Sequence, residues 1–405
     1  MLKCLWIARD IPFPLDAGDK IYSANLAHSF AQNGALVRFF GFAADHQVTP
    51  PDWPVEWVVV AGKKRSQRSA LFSTLPIAAA SHATTNARAL LAEQLSEEWD
   101  VIVLDSYGSG WALSQVLAAS NDNRPRPLLV HVSHNHEASL WRDMARNAQG
   151  NALHRAALWQ NYLKVKALER RMARKVDLIT TITDEDAARF GAQAPSRPSV
   201  ALTPGYSGWT APERTITSAT PRRVVMVGSF RWVVKQENLR RFLAIADARF
   251  HANNIVLDVM GDVPAELLAE LQPNVRATHF HGFVDSVAPY FESARVAVVP
   301  ELIGGGFKLK FLDYIFGRVP VATLTDAAAG LPHNVRSQMI CSGDMQSLVD
   351  DIVRNIDEVS QLDAMQTGAL RSASELFHWR DRGSNLRSAL QGIAALAATR
   401  QGLQA

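Results

Sequence analysis

The chain has 405 residues, of which 47% are hydrophobic and 20% charged, and its formal net charge is +3. That length exceeds one ordinary core and describes a soluble globular protein with two domains. The mild positive charge suits anionic ligands or an acidic membrane surface without demanding either, while the absence of a dense basic stripe argues against nucleic acid.

Only two cysteines occur, Cys4 and Cys341, which argues against a disulfide framework and against a cysteine-built metal cluster. The opening MLKCLWIARDIPFP is too short in its apolar part, and too charged at Arg9 and Asp10, to read as a signal peptide. No apolar run approaches the ~18 residues that span a bilayer. The expected location is the cytoplasm, with peripheral contact at the inner membrane left open.

In chain order, LKCLWIA reads as a buried strand, followed by the Pro-, Asp- and Gly-rich loop RDIPFPLDAGDK. IYSANLAHSFAQNG has helical spacing and a glycine stop, and ALVRFFGF is a second strand. WDVIVLDS, PLLVHVSHN and KVDLITTIT are further buried strands. Such alternation predicts a parallel sheet with helices on both faces. The segment from Glu137 to Lys175 is helical in pattern and rich in Arg, Lys and Trp. It reads either as a solvated face packed by aromatics or as a docking surface for a membrane or lipid-linked acceptor.

Between Gly191 and Arg223, Pro, Ser, Thr and Gly dominate, marking a linker. The pattern then restarts with strands in RRVVMVGSF, NIVLDVMG, ATHFHGFV, ARVAVVP and VPVATLT, and a helix in ENLRRFLAIADARF. The predicted class is α/β, with an N-terminal domain over 1–205, a second over 206–380 and a terminal helical segment over 381–405. Two doubly wound halves of this kind place ligands at the carboxyl ends of their strands, in a cleft between them.

The stretch ELIGGGFKLKFLDY, Glu301 to Tyr314, carries the most suggestive chemistry. A strand ending in proline leads to three glycines and then to KLKFLDYIFGR, which has helical spacing. Unpaired N–H groups at such a helix start favour a phosphate, and Lys308 and Lys310 add positive charge. Asp313, about one and a half turns into that helix, is placed to accept hydrogen bonds from a ribose diol. Taken alone, a glycine triplet is more often a plain loop than a phosphate cradle. In VHVSHNHEASLW, His131 and His134 fall on opposite faces of a strand, so a zinc site with His136 is not expected. Thr183 with Asp186 reads as a helix-capping pair.

The run from GDVPAELLAEL through VRATHFHGFVDSVAPYFESARVAVVP to GGGFKLKFLDYIFGRVPVATLTDAAAGLP resembles the donor-binding half of glycosyltransferase family 4, in a glycine-triplet variant of its donor motif. The resemblance implies the GT-B fold, two Rossmann-like doubly wound domains facing across a cleft. It also implies a retaining, nucleotide-sugar-dependent enzyme.

Gly305, Gly306, Phe307 and Lys308 fall on the family's diphosphate loop, and Asp313 on its ribose-binding acid. Gly305 stands where the Glu-x7-Glu form of the motif has its first glutamate. VVMVGSFRWVVKQENLRRFL resembles the first donor-domain strand and loop, with Gly228 in it and Lys235 on the family's phosphate lysine. Ser229 occupies the arginine position, leaving Arg231, Lys308 or Lys310 to replace that cation. Gly261 and Val284 fall where base and ribose are lined. Gly18 falls where the backbone approaches the donor phosphate, with Asp19 and Lys20 beside it. His134 falls where a histidine reaches the sugar.

Implied overall is metal-independent transfer from a nucleotide sugar, UDP-sugar favoured, to a saccharide or lipid-linked acceptor in surface polysaccharide or glycoconjugate synthesis. No cofactor is expected beyond that donor, and His134 and Lys235 are the expected catalytic residues. Alternatives are a silent nucleotide-sugar-binding scaffold and a GT-B-fold UDP-sugar 2-epimerase, whose required carboxylate pair is not visible.

Overall fold

A computed structural model describes residues 1–43, 51–120, 126–148, 151–302 and 306–402. The chain divides into two compact units, residues 1–205 with 378–405, and residues 206–377. Residues 378–380, read from the sequence with the second domain, therefore group with the first.

In unit 1 seven strands form one sheet: β1 (Leu2–Asp10), β2 (Ala35–Phe42), β3 (Val55–Val60), β4 (Val101–Asp105), β5 (Leu128–Val132), β6 (Leu178–Thr181) and β7 (Ser199–Ala201). All neighbours pair parallel, in the order β3-β2-β1-β4-β5-β6-β7. β4 is buried along its whole length, as expected for an inner parallel strand covered on both faces. β3 and β7 were not anticipated. Both are edge strands, and β7 lies inside the Pro- and Ser-rich stretch read as linker.

The Glu137–Lys175 stretch is two helices, Glu137–Arg146 and Ala152–Lys175. The first is stapled by the fully buried Glu169, whose carboxylate accepts from the N–H groups of Glu137 (2.7 Å) and Ala138 (2.9 Å). The Thr183 hydroxyl caps helix Asp184–Gln193 by accepting from the Asp186 N–H at 3.2 Å, as its spacing predicts. Helix Trp379–Gly402 packs on helix Gly18–Gln32. A Cβ on Gly383 would lie 2.3 Å from the Ser29 carbonyl oxygen, so only glycine permits that approach.

Unit 2 holds β8 (Arg223–Val227), β9 (Val256–Met260), β10 (Thr278–Gly282), β11 (Val296–Val299), β12 (Val321–Leu324) and β13 (Ile340–Ser342), again all parallel. Their order is β10-β9-β8-β11-β12-β13. Tyr314, fully buried, accepts a hydrogen bond from the last N–H of β8, at Val227 (2.7 Å), and so fixes helix Lys310–Phe316 beside that strand end.

In each sheet the chain winds outward from a central strand, then returns and winds the other way. The reversal falls between β1 and β4 in unit 1, and between β8 and β11 in unit 2. Loops leaving such a pair at their carboxyl ends diverge and open a crevice.

Gly261, just after β9, has φ +116°, and a Cβ there would sit 1.9 Å from the Gly228 carbonyl oxygen. Gly261→Ala is expected to destabilise unit 2 by at least about 2 kcal/mol, from strained φ plus a backbone clash. Chemical denaturation checks this; an unchanged midpoint would refute the close approach.

Candidate functional site

Charged groups gather at both reversal points. In unit 2, β11 runs through Pro300 to Glu301, whose carboxylate binds Lys310 Nζ at 2.7 Å, with both side chains largely buried. A Cβ on Gly228 would lie 3.4 Å from the same Lys310 nitrogen, so the end of β8 closes on this pair. Burial works to raise the Glu301 carboxyl, but Lys310, Lys235 and Lys308 outweigh it and hold it below its usual range. Lys235 is pushed down by burial and by the neighbouring Lys310 and Lys308, with Glu301 opposing. Lys308 is pushed down by burial and by Lys310, again against Glu301. Three cations thus act on the Glu301 carboxylate.

Lys235 lies in the first turn of helix Val233–Ala252, which starts earlier than the sequence suggested and has no side-chain cap from Trp232. Lys308 also reaches the Ala327 carbonyl at 3.4 Å. Asp313 sits in the first turn of helix Lys310–Phe316, not one and a half turns in, because the helix begins at Lys310 rather than Lys308. Burial raises the Asp313 carboxyl to about 6, while the Tyr206 hydroxyl and Lys310 oppose the rise. Tyr206 stacks on Phe316 with ring centroids 4.2 Å apart, which sets its ring against the Asp313 helix.

The glycines bring backbone to the same end of the sheet. Gly228 N–H donates to the Met260 carbonyl (3.0 Å) and Gly261 N–H to Gly282 (2.7 Å), so three strand ends terminate in glycine. Gly306 has φ +73°, a conformation suited to glycine. Gly305 lies outside the described residues. Phe307 packs inward, against Phe377 at 5.7 Å, and Val284 is half-buried against the core. Ser229 is exposed. Arg231 is 81% exposed and paired with Asp262, so it is not among the cations around Glu301.

In unit 1, His134 follows β5 and is buried. Its Nε2 lies 2.7 Å from Asp105 Oδ1, at the end of β4, and 3.4 Å from Ser23 Oγ. The other Asp105 oxygen accepts from the fully buried Trp6 Nε1 at 2.7 Å. A small cavity of about 40 Å³ borders this group, lined in part by Arg9, Asp10, Asp19, Lys20 and Ser106. Its charges are internally matched: Arg9 with Asp19, Asp10 with Lys64 at 2.6 Å, and Asp105 with His134. Gly18 opens helix Gly18–Gln32, whose preceding residue, Ala17, offers no side-chain cap. His131 is a core histidine, with Nδ1 3.1 Å from the Leu104 carbonyl. Among the described residues no group of His, Cys, Asp or Glu is arranged to hold a metal.

Glu301, Asp105 and Tyr206 escaped the sequence reading. The signal for the first two was a lone acid closing an apolar strand run, in VVPE and VIVLD. Tyr206 gave none.

Burial works to lower the His134 pKa, but Asp105 wins and raises it; burial works to raise Asp105, but His134, Trp6 and Ser23 hold it low. A histidine pKa raised on folding stabilises fully below its unfolded value near 6.5 and loses that contribution as pH rises through the folded value. A depressed aspartate stabilises above about 3.9 and loses it as pH falls through the folded value. The pair therefore contributes most between about pH 4 and 6.5. In Asp105→Asn the imidazole is expected to titrate below 6.5, since burial and Arg9 are then opposed by the weaker attraction of Asp19, with stability lowered by about 3 kcal/mol. An NMR titration of the His134 ring protons, with denaturant melts, checks both.

Residues 221–358 match the family model described as Glycosyl transferases group 1. No curated protein matches the chain significantly. Among solved structures it is similar to WaaG, a glycosyltransferase involved in lipopolysaccharide biosynthesis, with 18% identity and TM-score 0.64 over 95% of this chain and 99% of that one. It is also similar to HepE of Anabaena in complex with UDP and glucose, with 13% identity and TM-score 0.62 over 97% and 100%. For the α,α-trehalose 6-phosphate synthase of Burkholderia multivorans the figures are 12% and 0.64, over 98% and 100%. The fold is GT-B, and the group 1 match within it supports a glycosyltransferase.

Proposed function

We propose that the protein transfers a sugar from a nucleoside diphosphate donor, a UDP-sugar by preference, to a saccharide or lipid-linked acceptor with retention at the anomeric carbon. The observation that carries this is the cluster of Lys235, Lys308 and Lys310 around the Glu301 carboxylate at the β8/β11 reversal, inside the segment that matches the group 1 model. Three largely buried lysines gathered at one strand end are a place for a multiply charged anion. A diphosphate meets it, and the glycine-ended strands, having no side chains at those positions, leave room for it beside the backbone. HepE binds UDP and glucose, by its description, which favours uridine here.

In the proposed reaction the bond from the anomeric carbon to the β-phosphate oxygen breaks as the acceptor oxygen bonds to that carbon on the same face. The acceptor proton passes to the leaving phosphate, so no protein base is required. Lys235, with Lys308 and Lys310, stabilises the charge that grows on the diphosphate. Asp313 accepts from the ribose hydroxyls and His134 holds a sugar hydroxyl. The lysine cluster supplies the compensation a metal would give, so the reaction is proposed to run without one. The setting proposed is surface polysaccharide or glycoconjugate synthesis.

The Glu301–Lys310 pair favours a second reading, a nucleotide-sugar-binding scaffold without turnover, since it already neutralises one cation.

A melting panel with UDP-, GDP-, ADP- and TDP-sugars is expected to show stabilisation by the UDP-sugar. Binding together with slow donor hydrolysis or transfer supports the enzyme; binding with no turnover on any acceptor supports the scaffold. Asp313→Ala is expected to weaken UDP binding about 10- to 100-fold, the worth of hydrogen bonds to a charged group; unchanged calorimetric affinity would sink the ribose assignment. Because the carboxylate form binds, UDP affinity is expected to fall as pH drops through about 6. In the free protein the raised Asp313 pKa disfavours folding increasingly as pH rises from about 4 to 6, so Asp313→Asn should raise the neutral-pH melting temperature.

A further inference from the structure

One surface of unit 1 takes no part in these sites. Helix Ala152–Lys175 carries Arg155, Lys164, Lys166, Arg170, Arg171, Arg174 and Lys175, against a single acid, Glu169, which is fully buried. Among the described residues none of these seven cations forms a salt bridge; Lys164 donates to the Leu71 carbonyl at 2.7 Å and Arg171 to Ser114 Oγ at 3.2 Å. Ala152, Ala156, Trp159, Leu163, Ala167, Arg170 and Arg174 recur at helical spacing and are all exposed, so they run along one face. Leu163 is 59% exposed and Leu153, on the flank of that face, 82%. The Lys164–Leu71 hydrogen bond brings a second element alongside, and its next residue, Phe72, is 94% exposed.

We infer that this face docks on an anionic lipid bilayer, through Phe72, Leu153, Trp159 and Leu163 together with the arginines and lysines of the helix. Large apolar side chains standing in water beside unpaired cations, with no exposed acid on the helix, need a partner that is negatively charged and apolar at once. A bilayer with acidic headgroups offers phosphates above acyl chains, which is the arrangement such a face matches. A soluble polyanion satisfies the cations and leaves the phenylalanine and leucines in water. Among the described residues no helix is long and apolar enough to cross a membrane, so the contact is lateral. The inference is independent of the transfer reaction.

The test is co-sedimentation of the full chain with vesicles of phosphatidylcholine, with and without phosphatidylglycerol. Binding is expected only with phosphatidylglycerol, weakening as added salt screens the attraction. Arg170→Gln with Arg174→Gln is expected to reduce the partition coefficient roughly 20- to 30-fold, about fivefold for each cation near such a surface. Phe72→Ser with Leu163→Ser is expected to remove the part of the binding that survives high salt. All four positions are exposed, so melting temperatures should match the unaltered chain. Equal binding to both vesicles, no binding, or binding unchanged in the arginine pair overturns the inference. Retention on polyglutamate without vesicle binding also overturns it, in favour of an acidic protein partner.

Discussion

Everything functional in this chain hangs on the direction of its parallel strands. Each crossover returns the chain to the same end of its sheet, and the winding reverses once, so one pair of inner strands in each unit releases its loops to opposite sides. Those pairs, β1 with β4 and β8 with β11, are where the charged side chains collect. Up to those ends the two strands β4 and β11 are apolar and buried, in VIVL and VAVV. A charge at the carboxyl end of such a strand is half inside a low-dielectric layer and needs compensation there.

The two units meet that need differently. In unit 1 the compensation is internal: Arg9 faces Asp19, Asp10 faces Lys64 and His82, and Asp105 faces His134. A crevice balanced in this way has little pull on a charged ligand. In unit 2, Lys235, Lys308 and Lys310 gather about Glu301, and burial, with their mutual repulsion, lowers the pKa values of Lys235 and Lys308. Positive charge buried there is costly, and an anion would relieve that cost. The proposed diphosphate follows from this charge as much as from any motif.

Much of the fold was legible because inner parallel strands are continuous apolar runs, and VIVLD, VAVV and VVMV stand out against their surroundings. Edge strands are weaker signals. VEWVVV, SVA and ICS owe their conformation to a neighbour's register, which no local pattern encodes. The site divides the same way. Asp313 and the three lysines cluster within or near a local pattern and were readable. The Asp105–His134 pair depends on β4 lying beside β5, and Trp6 reaches Asp105 across 99 residues of sequence because β1 lies beside β4. Arg231, plausible by position, points away to Asp262; a residue four places past a strand has no fixed direction until its loop is folded.

Stability and function pull against each other in the second unit in a specific way. Asp313 is held in an environment that raises its pKa to about 6, so at neutral pH the fold carries a carboxylate it disfavours. The lysines nearby are disfavoured in the opposite sense, being desolvated cations. Salt-bridging acid and lysines directly would relieve both, yet Asp313 is set against Tyr206 while Glu301 takes Lys310. In the proposed complex that separation gives the acid and the cations different parts of one ligand, hydroxyls for the carboxylate and phosphates for the lysines. The binding energy of that ligand then includes the relief of both strains, which couples occupancy of the crevice to the stability of the unit that forms it.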